Sequence, residues 1–117
     1  MIRRGDVVMV DFPFSDTGQS KVRPAVVVQN DRDNQKIRKT VIAMVTGNLR
    51  RRGDPSHLFI DPGDPDGASL GLSFPSLVSC NNLFTIDQAA ILQVIGHLSD
   101  PLKRDLADCL KSALELP

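Results

Sequence analysis

"KVRPAVVVQND", residues 21–31, pairs an arginine and a proline with three consecutive valines. β-Branched side chains crowd a helix and suit a pleated surface, so the valine run reads as a strand. Pro24 has no N–H to give a sheet, which suits a strand's first residue rather than its interior. It also pushes the preceding residue toward extended geometry, so Arg23 is expected at the strand entrance. On this stretch alone, Arg23 is a surface residue beside a buried strand.

Working outward, "RRGDVVMVDF" (3–12) opens on a Gly-Asp turn and continues as a strand apolar on both faces, as in a barrel or between two layers. Residues 13–22 are rich in Pro, Ser, Asp and Gly and read as a loop; 23–29 return as a strand, and 30–38 form a polar connection. "KTVIAMVT" (39–46) is a third strand, closed by "GNLRRRGDPS" (47–56). A short strand at 57–61, a turn-rich stretch at 62–75, two short strands at 76–80 and 83–87 around Asn81 and Asn82, and a strand at 92–98 follow. Regularly spaced short strands between turn signals indicate a small barrel or sandwich. The chain then changes character: Asp100 is placed as an N-cap with Pro101 first in a helix over 99–117. Leu102, Leu106, Cys109, Leu110, Ala113 and Leu114 give that helix one apolar stripe. A mainly β, small all-β barrel with a C-terminal helix, one domain over residues 1–117, is the expected architecture.

Composition narrows the function classes. No apolar run is long enough to span a bilayer and no signal-peptide pattern opens the chain, so a soluble cytoplasmic protein is expected. Cys80 and Cys109 are far apart and lack any CxxC or Cys/His ligand spacing, so both read as buried free thiols and no metal site is expected. Net charge is zero, yet residues 1–52 hold eleven Lys/Arg against five Asp/Glu, and residues 53–117 hold three against nine. That division allows an anionic partner for the first half, provided folding does not interleave the two.

The ordered set "GDVVMVDF", "RPAVVV", a strand ending "VTGNLR", "LFTID" and "IGHLSD" resembles the MazF/PemK family of toxins, from Gly5 to the final helix. The resemblance implies an SH3-like barrel of the PemK/CcdB kind, a homodimer, a cognate antitoxin, and cleavage of single-stranded mRNA without a cofactor. Residue by residue, it implies that the family's catalytic arginine is Arg23 and its partner threonine Thr46. Both would fall at strand ends beside loops, on one edge of the sheet if strands 23–29 and 39–46 pair antiparallel.

The chemistry suits these residue types. RNA carries its own nucleophile, the 2′-OH, so the enzyme must orient it for in-line attack and stabilise phosphoryl charge. A guanidinium meets two phosphate oxygens at once and a threonine hydroxyl adds a further bond. The products would be 2′,3′-cyclic phosphate and 5′-hydroxyl ends. Arg23 is a poor general base because arginine stays protonated. Histidine is the residue type suited to that task, but no family position matches His57 or His97, and both are read as structural.

For RNA binding, Arg50, Arg51 and Arg52 follow Thr46 and are placed on backbone phosphates, Lys21 precedes Arg23, Phe14 is available to stack on a base, and Ser76 matches a family serine. The chain departs from the family pattern at Met9, where an aromatic residue is common, at Gly47, where a serine is common, and in "GLSFPSLVSC", which lacks a Lys or Asp beside its serine. Asn82 stands where a glutamine is common. Two other readings stay open: a gyrase-poison-like toxin that holds a protein target without cutting RNA, and an inactive relative acting through its antitoxin.

Overall fold

The valine run builds a strand that begins earlier than the proline suggests. The computed structural model describes the backbone of residues 1–14 and 19–117 and the side chains of residues 1–12 and 21–117. β1 (Asp6–Phe14) and β2 (Gln19–Val27) pair antiparallel, with Pro24 opposite Met9 and so inside β2. Both strands run into the predicted 13–22 loop, whose residues 15–18 lie outside the described residues. Pro24 is tolerated because β2 pairs with β3 (Lys39–Thr46) only from Ala25 to Val27. On the β3 side the proline is an edge residue, and its missing N–H removes no ladder bond.

β4 (His57–Ile60), β5 (Ser76–Asp87) and β6 (Ile91–His97) complete one six-stranded antiparallel sheet in the order β4-β5-β3-β2-β1-β6. The sheet curls into a half-barrel. The curl is visible in one contact: the rings of Phe12 on β1 and Phe84 on β5 meet edge to face at 5.1 Å, across two intervening strands. In a flat sheet those strands would stand about 14 Å apart.

Both faces are buried, which is why Val7, Val8 and Val10 are all apolar. Val7, Val26, Ala43, Val45, Val78 and Cys80 join one core with Leu106 and Cys109 of α2 (Asp100–Leu114). Val8, Val10, Ala25, Val27 and Ile42 alternate with them into a second core on the opposite face, with Met44 and Phe12 packed against it. The apolar residues of β1 are therefore satisfied within one chain, and their two-faced pattern is not by itself a signal for a partner.

Three further details differ from the sequence reading. Residues 31–36 form a short helix, α1, inside the predicted polar connection. Asn30 caps it by accepting from the Asp33 N–H, and Asn34 anchors it by accepting from Thr40 Oγ1 at 2.7 Å and Gln29 Nε2 at 2.9 Å. An anchor made of amides leaves no apolar periodicity to read. Residues 76–87 are one strand rather than two, but its pairing with β3 jumps between Ala43↔Leu83 and Met44↔Ser79, so residues 80–82 bulge from that ladder. α2 is capped by Ser99, whose Oγ accepts from the Leu102 N–H at 3.3 Å, so Asp100 is the first helical residue rather than the cap. Among the described residues no helix is long and apolar enough to cross a membrane.

The 62–75 stretch lies against β6 with almost no space between backbones. A Cβ added at Gly96 would collide with the backbone of Ser69 and Leu70, and one at Gly71, where φ is 71°, with the Ile95 carbonyl. Gly96→Ala is therefore expected to destabilise the protein by about 1–3 kcal/mol, the usual cost of overpacking. Gly47→Ala, where an added Cβ meets nothing within 4 Å, is the matched control and should melt near the parent temperature. Equal melting temperatures for the two variants would contradict the close approach.

Candidate active site

Strand parity decides which side chains share a face. Arg23 is two residues before Ala25 and opposite Val10, both of which belong to the second core, so it lies on that face of β2. Thr46 is two residues after Met44, which packs against the same core, so it lies on that face of β3. The last β2–β3 pair is Ala25↔Met44; continued by two residues, the same register sets Arg23 opposite Thr46. The two strands therefore pair antiparallel as expected, and both residues stand where their ladder has just ended.

On the other side of Thr46 the sheet opens onto a cavity of about 760 Å³, lined by Thr46, Asn48, Arg50, Arg51, His57, Leu77, Ser79, Asn81 and Asn82. Its floor is built by register: Thr46 pairs with Leu77, and Ser79 pairs with both Met44 and His57. Asn81 and Asn82 reach it from the bulge, in keeping with the tendency of bulges to re-aim side chains next to sites. Arg23 does not line this cavity; it is exposed on β2 at the far side of Thr46.

The loop after Thr46 is held by its own side chains. Thr46 Oγ1 accepts from the Asn48 N–H at 3.1 Å, and Asn48 Oδ1 accepts from the Arg50 N–H at 3.0 Å. One lone pair of the threonine is thereby engaged, which leaves its O–H to donate. Asp54 Oδ1 accepts from the Ser56 N–H at 2.8 Å, and the Asp54 carbonyl accepts from the His57 N–H at 3.0 Å. The Ser56 amide first, and His57 second, hold the Asp54 carboxyl below its ordinary value.

The other expected RNA contacts divide. Arg50 and Arg51 line the cavity. Arg52 does not: its guanidinium stacks on the Phe59 ring, 3.8 Å from the centroid. Lys21 is exposed on β2 with the same parity as Arg23. Ser76 is buried with the parity of Val78 and Cys80, facing the α2 side, and its Oγ donates to the Phe74 carbonyl at 3.0 Å. The side chain of Phe14 lies outside the described residues. Cys80 and Cys109 are both free and buried in one core; burial pushes the Cys80 thiol up to about 12 and raises that of Cys109, so both stay neutral.

The two histidines differ. His97 Nδ1 bonds the buried Asp6 carboxylate at 2.6 Å, tying β6 to the start of β1, a structural role. His57, read from the sequence as structural too, sits in the cavity wall with its side chain 6% exposed, between Asp54 and Ser79. A D-x-x-H spacing at a strand entrance was the available signal; Ser79, Asn48 and the bulge asparagines carried none, because their approach depends on cross-strand register. Among the described residues no group of three or more His, Cys, Asp or Glu is placed to hold a metal ion.

Comparison with known proteins agrees with this architecture over its full length. The chain is 26% identical to the endoribonuclease MazF of Staphylococcus saprophyticus, over 99% of this chain and 93% of that one. An endoribonuclease solved with its cognate antitoxin from a mycobacterial species superposes with a TM-score of 0.78 at 20% identity, covering 100% of this chain and 98% of that one. The Mycobacterium tuberculosis toxin MazF-mt6 gives 0.76 at 23% identity, covering 96% and 98%. A family model matches residues 3–114, and by that match the chain belongs to the PemK-like, MazF-like toxins of type II toxin–antitoxin systems.

Proposed function

We propose that this protein is an endoribonuclease that cuts single-stranded RNA by in-line attack of the 2′-OH, leaving 2′,3′-cyclic phosphate and 5′-hydroxyl ends without a metal. The observation that carries the reading is the seam where the β2–β3 ladder ends, with Arg23 and Thr46 on one face at opposing register positions. The relative named as an endoribonuclease and the family membership support the same activity.

In this reading Arg23 grips the scissile phosphate. Its guanidinium meets two oxygens together and stabilises the charge that grows in the transition state. Thr46, with one lone pair held by the Asn48 amide, donates its hydroxyl proton to the same phosphoryl group. Arg50 and Arg51 hold the neighbouring backbone in the cavity by charge, so binding weakens as salt rises. Arg52 contributes less than its position after Thr46 suggests, because its head is committed to Phe59.

Two partners complete the proposal. The cognate antitoxin inhibits through a short acidic segment laid along Arg23, Arg50 and Arg51, where it excludes RNA by volume and charge. A second copy of the chain pairs through an apolar surface; Leu92 and Val94 on edge strand β6 are 58% and 47% exposed. Light scattering at micromolar concentration is expected to give twice the chain mass, and a monomer would remove the dimer from the account.

The activity is tested with a long single-stranded RNA in EDTA. The parent is expected to cut it at defined sites. Arg23→Lys keeps the charge and Pro24 keeps the backbone, so the variant should melt near the parent temperature. It should cut about 10²-fold or more slowly, the usual loss on removing one preorganised donor. Thr46→Ala should also be impaired. A folded Arg23→Lys protein that cuts at the parent rate would place the scissile phosphate elsewhere.

A further inference from the structure

Arginine and threonine leave one task unfilled, which is to take the proton from the attacking 2′-hydroxyl. We propose that His57 takes it through Ser79, and that Asp54 is the positioning residue that sets the histidine's tautomer. This inference rests on the reading of the chain as an RNA-cleaving enzyme.

Three groups stand in line in the cavity wall. Ser79 Oγ lies 3.1 Å from His57 Nε2, and His57 Nδ1 lies 3.3 Å from Asp54 Oδ1. The ring is almost wholly enclosed, and Nδ1 has no hydrogen-bond partner of good geometry, so the Asp54 contact is one of charge and reach rather than an aligned bond. A carboxylate at that distance favours the tautomer with its proton on Nδ1. Nε2 then keeps a lone pair for the Ser79 hydroxyl, the same division of labour as in a serine–histidine–aspartate triad.

The proton path balances. As the 2′-oxygen attacks phosphorus and the bond to the 5′-oxygen breaks, the 2′-proton passes to Ser79 Oγ while the serine's own proton passes to His57 Nε2. Asp54 steadies the imidazolium. The leaving 5′-oxygen takes a proton from water, and His57 returns its proton to solvent when the product leaves. The charged groups facing the ring are Asp54 from its own loop and Arg50 and Arg51 around the cavity; β5 brings only neutral Ser79, Asn81 and Asn82. On the helix side, Asp105 and Asp108 of α2 act with Asp54 on the Cys109 thiol, behind the loop.

The test is single-turnover cleavage of an oligonucleotide spanning a mapped cut site, from pH 5 to 9. The same oligonucleotide with one 2′-deoxy substitution at the cut measures binding. For the parent, the rate should rise with pH at unit slope and then level, because the acceptor must be unprotonated. His57→Gln should bind the uncleavable oligonucleotide as the parent does, but cut the all-ribose one about 10²–10⁴-fold more slowly and lose that acid limb. Should His57→Gln not fold, Asp54→Asn decides the matter. Its amide oxygen still accepts from Ser56, so it should fold and bind but cut at least about tenfold more slowly, with a tautomer no longer enforced. A parent profile without an acid limb, or a folded His57→Gln or Asp54→Asn protein cutting at the parent rate, overturns the inference while leaving Arg23 and Thr46 in place. A parent that cuts no RNA brings down the reading beneath it as well.

Discussion

The register between β2 and β3 is the constraint on which the rest depends. Successive residues of these strands are committed to two different cores, Ala25, Val27 and Ile42 to one and Val26, Ala43 and Val45 to the other. A slip of one residue would exchange every side chain between faces, so both cores resist it. The same restraint carries outward past the last apolar pair. Because Ala25 faces Met44, Arg23 and Thr46 share a face, and the same register continued by two residues sets them opposite one another, although neither is part of the core. The candidate site is positioned by the register of the two cores.

A division of faces then decides where the cavity opens. α2 closes one side of the sheet through Leu106 and Cys109, while the second core fills the other side only as far as Met44. Beside and beyond Met44 the same face carries the polar Thr46, Ser79 and His57 around Leu77. The bulge at residues 80–82 interrupts the β3–β5 ladder at that boundary and delivers two asparagines to the rim. Hydrogen bonds within residues 46–57 hold the loop backbone before any substrate arrives, so little ordering cost remains at binding.

Much of this was legible in the chain. Valine runs, turn residues and the α2 stripe gave the mainly β architecture and the closing helix, with one strand too many because 76–87 was split in two, and the family resemblance pointed to Arg23 and Thr46. What escaped reading was polar or non-local. α1 is anchored by Asn34 rather than by an apolar stripe. Ser76 was placed with the RNA contacts, but two-residue alternation along β5 turns it to the α2 side. Arg52 looked equivalent to Arg50 and Arg51 until Phe59 claimed it. His57 offered no spacing to Ser79, twenty-two positions away, and only strand pairing brings them within 3.1 Å.

The central claim is that RNA is gripped at the β2–β3 seam beside the β5 bulge. It is tested most directly by assigning the protein's amide and side-chain resonances and titrating in an oligonucleotide made uncleavable by one 2′-deoxy substitution at its cut site. Saturable shifts should gather at Arg23, Thr46, Arg50, Arg51 and Asn82. Shifts confined to α1 or to β6, with Arg23 and Thr46 unmoved at saturation, would contradict it.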